Sequence, residues 1–169
     1  ITPQFILSFI DKWKNKGLFP EDVKEEKFTG LEKSIFKVYK IYQSKIRDLN
    51  ACDFGDLILY CVKLFENNSD IRQIYTNNFK YILVDEFQDT NFIQNKWLNL
   101  LVNDNQNICC VGDDDQSIYS WRGAEIKNFL TFDTIYKNCK IFKLEQNYRS
   151  TKNILETASA LISHNNGRV

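Results

Sequence analysis

The sequence has no excess of charge of either sign, since 22 acidic side chains balance 22 basic ones. The chain as a whole therefore has no general attraction to nucleic-acid phosphates or to anionic membranes, and any contact with nucleic acid must be local. No stretch approaches the roughly 20 consecutive apolar residues that a membrane span requires. The composition indicates a soluble protein, long enough at 169 residues for one sizeable core or for pieces of two.

The five cysteines lack the pattern of a disulfide framework or a zinc site, because their number is odd and no C-x-x-C pair occurs. Cys109 and Cys110 lie in an apolar run, which predicts buried, small hydrophobic residues of a protein in a reducing cytoplasm. The chain starts at Ile1 with neither an initiator Met nor a signal peptide. We expect this start to be a boundary within a longer protein.

The first half of the sequence has helical periodicity. Thr2 and Pro3 are an N-cap and a first helical residue, and apolar residues repeat at helical spacing from there to Gly17. A second stripe predicts a long helix over residues 31–49. Asp53 can cap a third helix, and a shorter helical pattern covers residues 71–79.

The periodicity changes at residue 81. Residues 81–84 form a continuous apolar run, which predicts a strand buried on both faces. Thr90 can cap a following helix, and residues 108–111 and 141–144 are predicted to be further strands. A last helix is expected from about Lys152. This alternation of strands and helices predicts an α/β fold with a parallel sheet, preceded by an all-helical region.

Polar residues follow the first predicted strand directly, namely Asp85, Glu86, Gln88 and Asp89. Open α/β sheets bind ligands outside the carboxyl ends of their strands. There an aspartate can hold Mg²⁺ while a neighbouring glutamate acts as a base toward an attacking water. An acidic turn that only caps the next helix would explain the Asp-Glu pair equally well.

Three longer sequence segments distinguish these alternatives. They are VDEFQDT at 84–90, VGDDDQSIYSWRGA at 111–124 and LEQNYRS at 144–150. They resemble motifs II, III and IV of UvrD/Rep/PcrA-type superfamily 1A DNA helicases in order and spacing. DFGDLI at 53–58 is similar to the element that precedes motif II in that family.

The resemblance implies a domain organisation. Residues 1–48 would be the C-terminal part of the helical subdomain 1B, and residues 49–146 the C-terminal part of a RecA-like (P-loop NTPase) domain 1A. Residues 147–169 would begin the RecA-like domain 2A. The implied fold is thus a partial RecA-like parallel sheet with an N-terminal all-helical subdomain.

The resemblance also implies roles in ATP hydrolysis. Asp85 would hold Mg²⁺ and Glu86 would activate the hydrolytic water, with Gln88 and Asp89 near the nucleotide. Gln116 would sense the γ-phosphate, which suits a neutral amide that can both donate and accept. The remaining ATP contacts would be Tyr148, stacked on adenine, and Arg149, which would reach the γ-phosphate as an arginine finger.

The same resemblance places single-stranded DNA on Tyr119 and Trp121, because aromatic faces stack on any base and do not read its sequence. Arg122 could join this DNA site to a phosphate or to a carboxylate of motif II. Ser120, between the two rings, stands where some relatives have the more flexible glycine.

A phosphate-binding loop is missing from the sequence, since no Gly-Lys dipeptide occurs. We expect an internal fragment of an ATP-dependent, 3′ to 5′ DNA helicase of repair or replication restart, inactive by itself. Its partners would be ATP, Mg²⁺, single-stranded DNA, duplex junctions and the remainder of the helicase chain. Two alternatives stay open: a helicase-nuclease of the RecB or AddA type, and a single-stranded-DNA binding module without ATP chemistry.

Overall fold

The structure is a computed structural model that describes residues 2–102, 107–136 and 138–164. Helices dominate, and two short strands form a parallel sheet. The helices are α1 (Pro3–Asn15), α2 (Gly30–Asp48), α3 (Phe54–Asn67), α4 (Ser69–Asn78), α5 (Phe92–Leu101), α6 (Lys127–Leu130), α7 (Phe132–Ile135) and α8 (Lys152–Ile162). The strands are β1 (Ile82–Val84) and β2 (Ile108–Cys110).

The predicted helix starts are confirmed where a side chain caps them. The Thr2 hydroxyl accepts a hydrogen bond from the Phe5 amide, and Pro3 is the first residue of α1. Asp53 caps α3 in a reciprocal capping box with Asp56, in which each side chain accepts from the other residue's amide. Such caps satisfy amides that have no partner in the first helical turn.

The start of α5 differs by one residue from the prediction. Asn91, not Thr90, caps this helix, in a capping box with Gln94. The Thr90 hydroxyl instead donates to the Phe87 carbonyl at 2.7 Å. The prediction was wrong here because Thr90 closes the preceding turn, which leaves the next residue to receive the helix amides.

Two apolar clusters make up the core. The first joins α1 to α2, where the rings of Trp13 and Tyr39 stack with centroids 5.5 Å apart. The second joins α3 to α5 through Leu59, Val62 and Ile93, together with Phe19 from the segment after α1. Because α1 also packs on α3 and α5, the helical half and the sheet-bearing half are in contact.

The sheet pairs β1 with β2 in parallel, with Leu83 opposite Cys109. Ile82 and Val84 are half-buried, but Leu83 between them is 80% exposed. Successive side chains of a strand point to opposite faces, so one face of this sheet is open. The predicted burial of this strand on both faces is therefore wrong, because no described element covers the Leu83 side.

Cys109 is exposed on this same open face, so the prediction that it is buried is wrong as well. Cys110 is half-buried, and burial, with smaller contributions from Cys109 and Cys139, raises its thiol pKa to about 12. The Cys110 thiol consequently stays protonated at neutral pH.

The third predicted strand, residues 141–144, is not a strand in the structure. Ile141, Phe142 and Leu144 are 64%, 80% and 89% exposed. The prediction was wrong because an apolar run becomes a strand only when a partner strand hydrogen-bonds to it, and no described strand lies beside this segment. Among the described residues, no helix combines the length and apolar character that crossing a membrane requires.

Candidate functional site

The predicted polar residues meet at one edge of the sheet. Asp85 and Glu86 follow β1, and residues 113–116 follow β2. Parallel pairing continues past the strand ends, since the Val111 amide donates to the Val84 carbonyl at 2.8 Å and the Phe87 amide to the Val111 carbonyl at 2.9 Å. The acidic loop (residues 85–90) and the second strand-end loop (residues 112–116) are therefore held side by side.

Glu86 has an unusual backbone conformation, with φ 50° and ψ 42° in the left-handed region. This conformation costs a non-glycine residue about 1–2 kcal/mol. Its amide donates to the Asp85 carboxylate at 3.0 Å, and both residues are exposed. Backbone strain of this kind persists where surrounding contacts impose it, and such residues cluster at functional sites.

Gln88 holds the side chain of Glu86. Its side chain is fully buried, its Nε2 donates to Glu86 Oε2 at 2.7 Å, and its Oε1 accepts from the Asp113 amide at 3.1 Å. Gln88 thereby fixes the Glu86 carboxylate and joins the two loops. Gly112 makes room for this side chain, because a Cβ there would lie 2.7 Å from Gln88 Oε1.

Gln116 is exposed at the end of the second strand-end loop. Its Nε2 donates to Asp113 Oδ2 at 2.6 Å, while Asp113 Oδ1 accepts from the Asp115 amide at 3.0 Å. Asp89 is half-buried, and its Oδ1 accepts no hydrogen bond within the described part of the chain. The exposed side-chain amide of Gln116 can thus meet a further partner, whereas this Asp89 oxygen is buried.

A metal ion at this edge would have to rely on few protein ligands. Residues 2–102, 107–136 and 138–164 contain no group of three or more His, Cys, Asp or Glu side chains placed to hold one. Mg²⁺ in nucleotide sites commonly takes only one or two carboxylates, with water and phosphate oxygens completing its shell. The exposed Asp85 carboxylate at the strand end fits that mode.

The aromatic loop (residues 117–124) leads from this edge to a second surface. Tyr119 and Trp121 are 37% and 78% exposed, with ring centroids 6.4 Å apart. The Arg122 guanidinium lies 5.6 Å from the Tyr119 ring centroid and 5.8 Å from that of Trp121. These cation–π contacts hold Arg122 on the aromatic side of the loop, where the described residues offer it no ion pair with a carboxylate.

Backbone contacts tie the aromatic loop to the acidic loop. Asn91 and Ala124 form an isolated antiparallel bridge, and the Glu125 amide donates to the Thr90 carbonyl at 2.9 Å. Asn128, only 8% exposed, donates to the same carbonyl at 3.1 Å. Sequence reasoning missed Asn128, since a lone asparagine within a short helix has no local signature.

Tyr148 and Arg149 are exposed residues of the segment between α7 and α8. Tyr148 is 90% exposed, and Asn147 Oδ1 accepts from the Arg149 and Ser150 amides at 2.9 and 2.8 Å. Within the described ranges, no hydrogen bond or ion pair joins Tyr148 or Arg149 to Asp85 or Glu86. The structure brings together the two strand-end loops and the aromatic loop, but not this last pair.

Comparison with known proteins identifies the family. Residues 2–137 match the model of the UvrD/REP helicase N-terminal domain. The chain is 46% identical over 168 residues to a probable DNA helicase II homolog of Rickettsia conorii, covering 99% of the chain and 26% of that protein. It is 45% identical over 166 residues to the ATP-dependent DNA helicase PcrA of Staphylococcus epidermidis, covering 98% and 23%.

A third relative is DNA helicase II of Escherichia coli, 43% identical over 167 residues, with coverage of 99% and 23%. The chain thus spans about a quarter of the length of these curated relatives. The match to the family model covers most of the chain and includes the acidic and aromatic loops. On this evidence the chain belongs to the UvrD/REP family of DNA helicases.

Proposed function

We propose that the chain is part of a cytoplasmic, ATP-dependent DNA helicase that moves 3′ to 5′ on single-stranded DNA during repair or replication restart. The observation that carries the proposal is the bridge from Glu86 through Gln88 to the Asp113 amide, which joins a candidate base to the loop that leads to the exposed aromatic rings. The names of the relatives, which are DNA helicases, support it. In this reading the sheet is the C-terminal part of a RecA-like domain.

Hydrolysis would begin with a water at the Glu86 carboxylate. Glu86 accepts a proton as the water oxygen bonds to the γ-phosphorus, and the bond from that phosphorus to the β,γ-bridging oxygen breaks to release ADP. Mg²⁺, when bound at Asp85, supplies charge neutralisation at the phosphate oxygens. Gln88 holds Glu86 ready for this step, since a fixed carboxylate needs no reorientation before it takes the proton.

Coupling to DNA would run along the second strand-end loop. Gln116 lies on this loop, three residues before Tyr119, so its response to a γ-phosphate can be passed to the aromatic rings. Tyr119 and Trp121 would stack on successive bases and Arg122 would stay against them. Duplex junctions and the rest of the helicase would be the further partners of this surface.

Tyr148 and Arg149 would complete the ATP site from a second motor domain. Their exposure, with a local turn fixed by Asn147, suits residues that meet adenine and the γ-phosphate across a domain boundary. Asp89, whose buried Oδ1 has no hydrogen-bond partner among the described residues, would lie near the nucleotide. The loop that holds the phosphates would come from outside these 169 residues, so the chain alone should not hydrolyse ATP.

The test uses the full-length protein that contains this chain. Glu86→Gln should lower kcat for DNA-stimulated ATP hydrolysis by about 100-fold or more, because general-base catalysis contributes 10²–10⁴. Glu32→Gln, at an exposed glutamate of α2, is the matched control and should retain wild-type turnover. Unwinding of duplexes with 3′ or 5′ single-stranded tails measures the direction of movement.

The outcome separates the proposal from a plain DNA-binding module. If Glu86→Gln keeps full ATP turnover, or if the wild-type protein binds single-stranded DNA with no ATP hydrolysis, the helicase assignment is wrong. Mg²⁺-dependent ATP hydrolysis by the 169-residue chain, abolished by Glu86→Gln, would contradict the assignment of the phosphate loop to another part of the protein.

A further inference from the structure

Asn15 connects the helical half of the chain to the aromatic loop. It is the last residue of α1, and its Nδ2 donates to the Arg122 carbonyl at 3.3 Å. Its Oδ1 accepts from Asn91 Nδ2 at 3.0 Å. One side chain thus contacts the aromatic loop and the N-cap of α5, which follows the acidic loop directly.

The last turn of α1 cannot move freely, because Lys14 anchors it. The fully buried Lys14 ammonium lies 2.6 Å from Asp53 Oδ2 and 2.9 Å from Asp56 Oδ1. These two carboxylates form the capping box of α3, and the Tyr42 hydroxyl donates to Asp53 as well. Asn15 is therefore presented to the aromatic loop from a fixed point.

The aromatic loop is shaped to receive this side chain. Gly123 has φ 90°, a left-handed conformation in which glycine is not strained. A Cβ at Gly123 would lie 3.5 Å from Asn15 Nδ2, so the loop backbone packs directly on the asparagine. The adjoining Ala124 is held by its bridge to Asn91, the other partner of Asn15.

We infer that Asn15 is a positioning residue for single-stranded DNA, which sets the placement of the Tyr119 and Trp121 rings by holding the Arg122 carbonyl. The inference rests on the proposed function. Arg122 follows Trp121 directly, so a displacement of the Arg122 carbonyl also moves the Trp121 ring. The Glu86 carboxylate is held by Gln88, which forms no hydrogen bond with Asn15 in the described part of the chain. Loss of the Asn15 bond should therefore weaken DNA binding more than it slows ATP hydrolysis.

The experiment measures DNA-stimulated ATP hydrolysis of the full-length protein against the concentration of single-stranded DNA. Asn15→Asp retains an acceptor for Asn91 and loses the donor to Arg122. It should raise the DNA concentration for half-maximal stimulation about three- to ten-fold, the range that one hydrogen bond supports, with kcat at saturating DNA changed less than about two-fold. Asn15→Ala should have at least as large an effect.

Two controls separate positioning from general damage. Asn67→Ala alters the exposed last residue of α3, an asparagine whose side chain forms no hydrogen bond in the described part of the chain, and should leave the DNA response unchanged. In a Trp121→Ala background, Asn15→Asp should raise the half-maximal DNA concentration less than in the wild type, because the ring it positions is gone. Near-ultraviolet circular dichroism checks that each variant is folded.

Three results would overturn the inference alone: an unchanged half-maximal DNA concentration in both Asn15 variants, an equal loss in kcat, or a full effect of Asn15→Asp without Trp121. A wild-type protein whose ATP hydrolysis does not respond to single-stranded DNA would instead overturn the proposed function, and this inference with it.

Discussion

Gly112 is the position where a single methyl group should do the most damage to the candidate site. An alanine Cβ there would lie 2.7 Å from Gln88 Oε1, and 2.8 and 3.1 Å from two carbons of the Phe129 ring. Contacts this short force a neighbour to move. Gln88 is fully buried, and its side-chain Nε2 and Oε1 both form hydrogen bonds. It can therefore move away from the new methyl group only if its hydrogen bonds to Asp113 and Glu86 break.

The magnitude follows from three contributions to the unfolding free energy of Gly112→Ala. Overpacking of a filled site costs about 1–3 kcal/mol. Loss of the Gln88–Asp113 hydrogen bond adds about 0.5–1.5 kcal/mol. Alanine also lowers the conformational entropy of the unfolded chain, which stabilises the folded state by about 0.4–1 kcal/mol and offsets part of these costs. We expect a net destabilisation of about 0.5–4 kcal/mol.

Urea unfolding of the 169-residue chain tests this expectation. The proteins compared are the wild type, Gly112→Ala, Gln88→Ala and the double variant, which together form a double-mutant cycle. Shortening Gln88 removes the 2.7 Å contact, so Gly112→Ala should cost less in the Gln88→Ala background than in the wild type. In the full-length protein, Gly112→Ala should also lower kcat for ATP hydrolysis by freeing Glu86. A wild-type urea midpoint for Gly112→Ala, or strictly additive costs in the cycle, would refute the reasoning.

Two further predictions concern the buried ion cluster beneath α1. Lys14→Met should lower the unfolding free energy at pH 7 by about 3–5 kcal/mol, because it leaves the Asp53 and Asp56 carboxylates without the cation that pairs with them. Lys12→Met, at an exposed lysine of the same helix, is the control, and equal losses in both would contradict the assignment. Burial raises the pKa of Asp53, but hydrogen bonds from Lys14, the Asp56 amide and Tyr42 outweigh it and hold this pKa below its ordinary 3.8. A carboxyl group whose pKa is lower in the folded state stabilises the fold when the pH is above its ordinary pKa, and this stabilisation is lost as the pH falls. Urea unfolding at a series of pH values should therefore show a free energy of unfolding that decreases from about pH 5 downward. The decrease should be smaller in Lys14→Met. An identical pH profile in the two proteins would argue against this coupling.

Helices were predictable from the sequence because their determinants are local. The predicted helix over 31–49 is α2 at Gly30–Asp48, and the predicted third helix begins where Asp53 caps it. Apolar periodicity and a capping side chain lie within a few residues of each other, so a short window contains both signals. The one-residue error at Thr90 arose where two adjacent residues could both cap and the preceding turn decided between them.

Strands were less predictable because an apolar run does not specify its partner. The runs at 82–84 and 108–110 pair with each other, whereas the mostly apolar segment at 141–144 is exposed and pairs with no described strand. The same limit explains Leu83 and Cys109, whose open face depends on what lies beside the sheet and not on the run itself. Pairing and coverage are tertiary properties, and only the alternation of side chains is encoded locally.

The polar residues after β1 show what the structure adds to a motif. As a string, Asp85, Glu86, Gln88 and Asp89 are four equivalent candidates, but their surroundings divide them: the first two are exposed, Gln88 is fully buried and Asp89 is half-buried. A neutral amide can occupy the buried position because it carries no charge to desolvate, and it can donate to a carboxylate while accepting from an amide. A glutamate at position 88 would place a second carboxylate 2.7 Å from Glu86 and could not donate to it when ionised. The choice of glutamine over glutamate at position 88 therefore allows a hydrogen bond that holds the Glu86 carboxylate at the edge of the sheet.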